Sequence, residues 1–285
     1  MKDYLNLSVI RSGISVALLS LCWTSITFAE PIPTVEDHFS IGAGAVHNTA
    51  PYEGYNGFTT PMPFFDIQYG RFFANNQHDE PVIGWELFRH KRVIFALAAT
   101  KGRIFLDTDE INDDRKNLYL GLEDRDEAIE VGIIAQFYSR VGLVEGTVYH
   151  DVISAYGGTR SSLSLSRPFP ETGNWVITPR VFIKHYSEKF NNYYYGVSKD
   201  DTKKGVALAN AIGISEADYK KIRPSYTPGN SGHFGVDLSL EYNFSENIVG
   251  VGYIGIEKFS GEMETSPLIE DKELITSSLG LRYTF

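Results

Sequence analysis

Long apolar runs are what this sequence lacks. Beyond residue 29 no stretch of about 18 apolar residues occurs, so that part of the chain offers no transmembrane helix. Cysteine is nearly absent: the single copy, Cys22, lies in the N-terminal segment, and a chain cut after Ala29 has no disulfide and no thiol chemistry. Positive charge is in deficit. Of 26 basic and 36 acidic residues, Lys2, Arg11 and Asp3 precede the cut, leaving 24 against 35, a net of −11 that disfavours nucleic-acid binding. No Gly-x-Ser-x-Gly elbow is present, and His38, His47, His78, His90, His150, His185 and His233 are scattered. His150-Asp151 is a lone dipeptide whose side chains fall on opposite faces of a strand. With no nucleophile–base pattern, the expectation is a non-enzymatic protein with no catalytic residues, no cofactor and no metal.

What is present begins with an export signal. Lys2 and Arg11 give a positive start, Ile14 to Phe28 are apolar apart from Ser and Thr, and Thr27 and Ala29 supply the small residues before a cleavage site. Residues 1–29 are therefore read as a signal peptide, and Sec export followed by cleavage near Ala29 is expected. The stretch is too short and too rich in Ser and Thr for a good membrane span. Leu21 stands before Cys22 where a lipoprotein site wants a small residue, which argues against acylation.

The remaining chain alternates. Phe234, Val236, Leu238, Leu240, Tyr242 and Phe244 face one way, and Gly235, Asp237, Ser239, Glu241 and Asn243 the other. Similar period-two segments run from Phe39, Val93, Ile129, Val144, Leu163 and Trp175. In the last strand Leu279, Leu281, Tyr283 and Phe285 alternate with small or charged residues. The fold class expected is all-β: an antiparallel transmembrane β-barrel over residues 30–285, its polar faces turned to the lumen. Short connections (139–140, 171–174, 245–247) alternate with long ones (48–58, 106–125, 187–232, 260–271), as in bacterial outer-membrane barrels. Both chain ends should be periplasmic, which makes the strand number even. If 61–92 supplies three passes, Pro63–Tyr69, Arg71–Asn75 and Pro81–Phe88, with a turn at Gly70, the count is about twelve, with ten as the alternative. The 17 Tyr and 18 Phe suit aromatic girdles at two interfaces.

Three features invite a functional reading. In the loop 187–232, Ser198 with Asp201 and Ser215 with Asp218 fit the capping-box pattern of two short helices. The loop is then either a lid over the mouth or a surface loop with incidental helix. The acidic run Asp107 to Asp114 lacks the sixth-position Gly of the helix–loop–helix calcium site, which leaves a solvated loop or a loose divalent bridge to lipopolysaccharide phosphates. The lumen-facing charges are Glu130, Glu145, Asp151, Asp237 and Glu241 against Arg180, Lys184 and Arg282. They must pair or face water, giving either a narrow polar channel or a charge-networked plug. Leu281, Tyr283 and Phe285 are read as the terminal signal for the barrel assembly machinery.

In order along the chain stand Gly42-x-Gly44, Pro51-Tyr52-Glu53-Gly54, Tyr69-Gly70-Arg71-Phe72-Phe73, Tyr194-Tyr195-Gly196-Val197-Ser198 and Leu279-Gly280-Leu281-Arg282-Tyr283. In this series the sequence resembles the MipA/OmpV family of outer-membrane proteins. The resemblance implies a barrel in the Gram-negative outer membrane, among lipid and lipopolysaccharide. The family's namesake is a scaffold between a lytic transglycosylase and a peptidoglycan synthase, so a scaffold for murein machinery is the function implied. Other members are treated as porin-like or as immunogenic surface proteins, which keeps a narrow solute channel and a surface adhesin as alternatives. The family brings no catalytic set. Lys199 to Asn230 is longer and more charged here than the Ser/Ala/Pro-rich stretch usual at that place.

Overall fold

A computed structural model describes residues 36–77, 80–102, 106–170 and 173–285. The signal segment 1–29, with Cys22 and the cleavage position at Ala29, lies outside the described residues, as does His78. Twelve antiparallel strands form one closed barrel in which each strand pairs with its neighbours in sequence and the last with the first. They are β1 (His38–Asn48), β2 (Phe58–Tyr69), β3 (Phe72–Gln77), β4 (Glu80–His90), β5 (Val93–Lys101), β6 (Ile129–Ser139), β7 (Gly142–Asp151), β8 (Thr159–Ser166), β9 (Trp175–Tyr186), β10 (Ser231–Asn243), β11 (Ile248–Lys258) and β12 (Glu273–Thr284). Closure runs from Ser40↔Thr284 to Asn48↔Thr276. It removes the free edges that hydrocarbon would not tolerate.

Alternation in sequence becomes inside and outside in space. On β6, Ile129, Ile133 and Phe137 are exposed on the outer face while Glu130 and Ile134 are buried inward. Gly70 has φ +57° in the two-residue turn between β2 and β3, a left-handed conformation that glycine adopts at no steric cost. Lys91 turns β4 into β5 with φ 50°. A bulge between Glu86 and Phe88 shifts the β4–β5 register and leaves both Leu87 and Phe88 exposed on the outer face.

The two ends differ in length. At the end where β1 begins and β12 finishes, turns are short; at the other lie 49–57, 102–128, 152–158, 187–230 and 259–272. The connection between β3 and β4 departs from this alternation, because Gln77 pairs directly with Glu80 and the hairpin stops low. Segment 187–230 is ordered into three helices, α1 (Glu188–Tyr195), α2 (Lys199–Ala211) and α3 (Glu216–Ile222). Ser198 caps α2 through a complete capping box, its hydroxyl accepting from the Asp201 amide at 3.0 Å while Asp201 accepts from the Ser198 amide at 2.9 Å. The Ser215 hydroxyl accepts from the Asp218 amide at 3.2 Å and starts α3. Helix α1 was not expected from the sequence; Ser187 caps it, its hydroxyl accepting from the Phe190 amide at 3.4 Å, and burial of Phe190, Tyr194 and Tyr195 along one side holds it.

Candidate functional site

The lumen is crossed by ion pairs. Arg160, on β8, lies between two carboxylates: Nη1 and Nη2 donate to Glu80 at 3.2 and 2.9 Å, and Nε to Glu130 at 2.6 Å. Its guanidinium also stacks over the Tyr149 ring at 5.1 Å. Glu130 receives a further bond from the Tyr156 hydroxyl at 2.5 Å. One strand further round, Lys184 donates to Glu257 at 2.6 Å. Below them Arg180 holds Asp237 through Nε at 2.8 Å and Nη2 at 2.5 Å, and Gln136 donates to Glu145 at 2.8 Å. Near the periplasmic end Arg282 stands 3.4 Å from both Asp66 and Glu241. A buried charge without a partner would cost several kcal/mol, about as much as a small domain can spare. Most of the lumen's charges are therefore held in opposed pairs, between neighbouring strands for Arg180 and Asp237 and across more distant ones for Arg160, while Glu145 is held by the Gln136 amide.

Of the eight charges read from the sequence, Glu130, Glu145, Arg180, Lys184, Asp237, Glu241 and Arg282 stand in this interior. Asp151, at the top of β7, is occupied locally instead. Its carboxylate accepts from the amides of Ile153, Tyr156 and Gly157 at 3.0, 2.7 and 2.8 Å and shapes the β7–β8 loop. Sequence reading missed Glu80, Arg160 and Glu257. Arg160 was findable, two residues before the inward Ser162 on a strand of period two. Glu257 was not, because β11 is apolar or glycine on both faces, with Val249 and Val251 packing inward on Phe64.

Two adjoining cavities of about 90 and 70 Å³ remain between the pairs. Glu80, Arg160, Lys184, Glu257, Leu274 and Thr276 line both, so they form one charged chamber with room for several waters.

Above the chamber the extracellular mouth is closed by an ordinary hydrophobic core. Tyr52, Tyr119, Tyr194, Tyr195, Phe259 and Leu268, from four different loops, are buried together. Polar bonds fix the arrangement: Tyr52 donates to the Tyr194 carbonyl at 3.0 Å, Tyr119 to that of Glu53 at 2.7 Å, and Ser266 to that of Tyr195 at 2.7 Å. Helices α2 and α3 lie on this core. Tyr219 donates to the Leu120 carbonyl at 3.0 Å, and Arg223, fully buried, donates to the carbonyls of Leu120 and Asp201 at 2.7 and 2.8 Å. Burial lowers the Arg223 pKa and raises those of the Tyr52, Tyr119, Tyr194 and Tyr195 phenols, in each case by disfavouring the charged form.

Where mouth and wall meet, Ser231, His233 and Glu257 form a hydrogen-bonded row: Ser231 Oγ lies 3.1 Å from His233 Nε2, and His233 Nδ1 lies 2.8 Å from Glu257. The row has the order of a hydrolytic triad but not its setting. Ser231 donates to Asn191 Oδ1 at 3.2 Å, the row is packed under the Tyr186 and Phe259 rings, and the serine lines neither cavity. It fastens α1 to the barrel. Among the described residues no group of three or more His, Cys, Asp or Glu is placed to hold a metal ion. The acidic loop uses Asp107 to cap a 3₁₀ turn and Glu110 to accept the Tyr55 hydroxyl at 2.8 Å.

The family model described as MltA-interacting protein MipA matches residues 41–285. The putative outer membrane protein YiaT of Escherichia coli K12 is 26% identical over 247 residues, covering 86% of this chain and 90% of that protein. The MltA-interacting protein of the same strain is 22% identical over 251 residues, covering 88% and 91%. Among solved structures, the translocator domain of the autotransporter NalP from Neisseria meningitidis aligns over 98% of this chain and 97% of that one, with a TM-score of 0.44 and 10% identity. With its twelve-stranded closed barrel and a family match over nearly all the described chain, this protein is a Gram-negative outer-membrane barrel and a member of the MipA family.

Proposed function

We propose that this barrel is a non-enzymatic scaffold of the outer membrane, binding cell-wall machinery of the murein transglycosylase and synthase class on its periplasmic side. The observation that carries this reading is the closed mouth. A core of aromatic residues and three helices seals the extracellular end, and ion pairs bridge the lumen beneath it, so the architecture favours a rigid body over an open conduit. A relative's name, MltA-interacting protein, supports the choice of partner. Gentle crosslinking in intact envelopes, followed by solubilisation and affinity capture, tests it. Recovery of a murein transglycosylase or synthase is expected, and recovery of neither would overturn the scaffold.

The charged chamber favours a second reading, a narrow gated channel for small polar solutes, lined by Glu80, Glu130, Glu145, Arg160, Arg180, Lys184 and Glu257. Swelling of proteoliposomes in small sugars and amino acids tests that reading; absence of swelling removes it.

A further inference from the structure

Charge is unevenly shared around the periplasmic rim. Pairing of Tyr69 with Phe72, His90 with Val93 and Ser139 with Gly142 leaves three successive turns of two residues each. They are Gly70-Arg71, Lys91-Arg92 and Arg140-Val141, so four of the six turn residues are cations. All four are exposed, and none enters an ion pair with a described residue. Over the whole chain acid prevails, 36 residues against 26 basic, which sets these turns apart.

Carboxylates close to the three turns already have partners. Asp37 accepts from the Gly70 amide at 2.7 Å, Glu86 accepts from Arg89 Nε at 2.7 Å, and Asp66 stands 3.4 Å from Arg282. Arg167, in the next connection, is likewise engaged. On the far side of the ring the turn 244–247 carries Glu246 and no cation. The basic arc thus runs from β2 to β7 and has no counterpart at β10 and β11. Its turns lie two strand spacings apart, about 10 Å, close to the Debye length of dilute salt, so the four cations act as one field.

Depth selects the kind of anion. Arg71, Lys91 and Arg140 follow Tyr69, Phe88 and Phe137 by two or three residues, and these rings are 74%, 50% and 47% exposed on the outer face. Rings so placed meet the lipid, and a two-residue turn cannot carry its side chains far beyond them. The cations therefore stand where hydrocarbon gives way to headgroups. Three of the four are arginines, whose planar fork meets a phosphate through two N–H groups. An acidic protein face would have to press into the headgroup layer to reach the same groups.

We propose that the β2–β3, β4–β5 and β6–β7 turns form a binding arc for anionic phospholipid of the periplasmic leaflet. Arg71, Lys91, Arg92 and Arg140 hold the headgroup phosphates, and the apolar wall above them takes the acyl chains. The arc concerns the lipid-facing rim and is independent of the scaffold and channel readings.

Two tryptophans read the two sides of the ring. Trp85, exposed on β4, pairs with Phe72 beside Arg71, whereas Trp175, exposed on β9, pairs with Tyr242 near the 244–247 turn. Trp175→Phe and Trp85→Phe variants isolate each reporter in bilayers mixing phosphatidylcholine and phosphatidylglycerol, with bromine on the chains of one lipid or the other. Fluorescence quenching then reports which lipid touches each ring. At Trp85 phosphatidylglycerol should be favoured about fivefold, the factor one surface cation confers, and at Trp175 neither lipid should be favoured. Combining Arg71→Gln, Lys91→Gln, Arg92→Gln and Arg140→Gln should abolish the preference while the heat-dependent gel shift persists. High salt should weaken it in the unsubstituted arc. Equal quenching by both lipids at Trp85, the same preference at both tryptophans, or a preference that survives the four substitutions or high salt would overturn the proposal. So would loss of crosslinking to a murein enzyme in the four-fold variant without any lipid preference, which would give the arc to a protein.

Discussion

The wall and the mouth of this protein are built on opposite rules from one chain. In the wall, large apolar side chains are outside and charges inside: Leu279 is 74% exposed and Ile183 57%, while Glu130 is 1% exposed and Asp237 5%. In the mouth the order is reversed, with Tyr195, Phe259 and Leu268 at 0% and Lys203 and Asp113 in water. The difference teaches that the external phase, not the residue type, sets which side is in. Hydrocarbon surrounds the strands, so their apolar rows face outward and their polar rows must satisfy one another across a narrow lumen. Water surrounds the loops, so they fold as a small soluble domain would.

Variants that damage one region and spare the other break or sharpen this contrast. Arg160→Ala leaves Glu80 and Glu130 facing each other without their shared cation. A loss of about 3–5 kcal/mol is expected, read as a lower urea midpoint for the refolded barrel. Arg160→Lys should rescue little, because it cannot reproduce the two-sided contact. Phe259→Ala should cost about 3–4 kcal/mol within the mouth alone. Its signature is loops open to external protease while the heat-dependent gel shift of the barrel persists; loss of that shift would mean that wall and mouth are one unit.

Alkali should separate the same two regions. Burial raises the Tyr52, Tyr119, Tyr194 and Tyr195 phenols, so their folded pKa values lie above the unfolded one. Their contribution to stability is complete below about pH 10 and falls as pH rises beyond it. Proteolysis of the loops above that pH, with the strand circular-dichroism signal intact, is the expected result. Deleting Phe285 removes its amide bond to Phe39 and ring contacts at 5.4 Å with Phe39 and 4.9 Å with Tyr283, worth about 0.5–1.5 kcal/mol each. A fall in outer-membrane yield follows, and unchanged yield would contradict a role for this end in closing the barrel. Ser198→Ala should cost about 1 kcal/mol and speed amide exchange in α2 only.

Legibility in the sequence follows the same division. Period two was readable wherever one face meets lipid and the other meets a polar lumen, as in β6 and β10; the count of about twelve needed in addition an even number of passes, which put three of them in 61–92. The pattern failed at β11, where Val249 and Val251 fill the lumen and both faces look apolar. Charges were readable as inward but not as pairs, because Arg160 and Glu80 are 80 residues apart and meet only when the barrel closes. Asp151 shows the reverse limit: a polar residue on the right face whose work is settled by three nearby loop amides. Within the mouth, the two capped helices announced themselves through Ser198 and Ser215. The aromatic core beneath them gave no local signal, since it gathers residues from four loops.

Closure of the mouth is the claim on which the rest depends, and single-molecule conductance reads it directly. Purified protein refolded into a planar bilayer should insert without resolvable current steps, and deletion of 199–226 should produce them. Stable conductance steps from the intact protein would contradict the account.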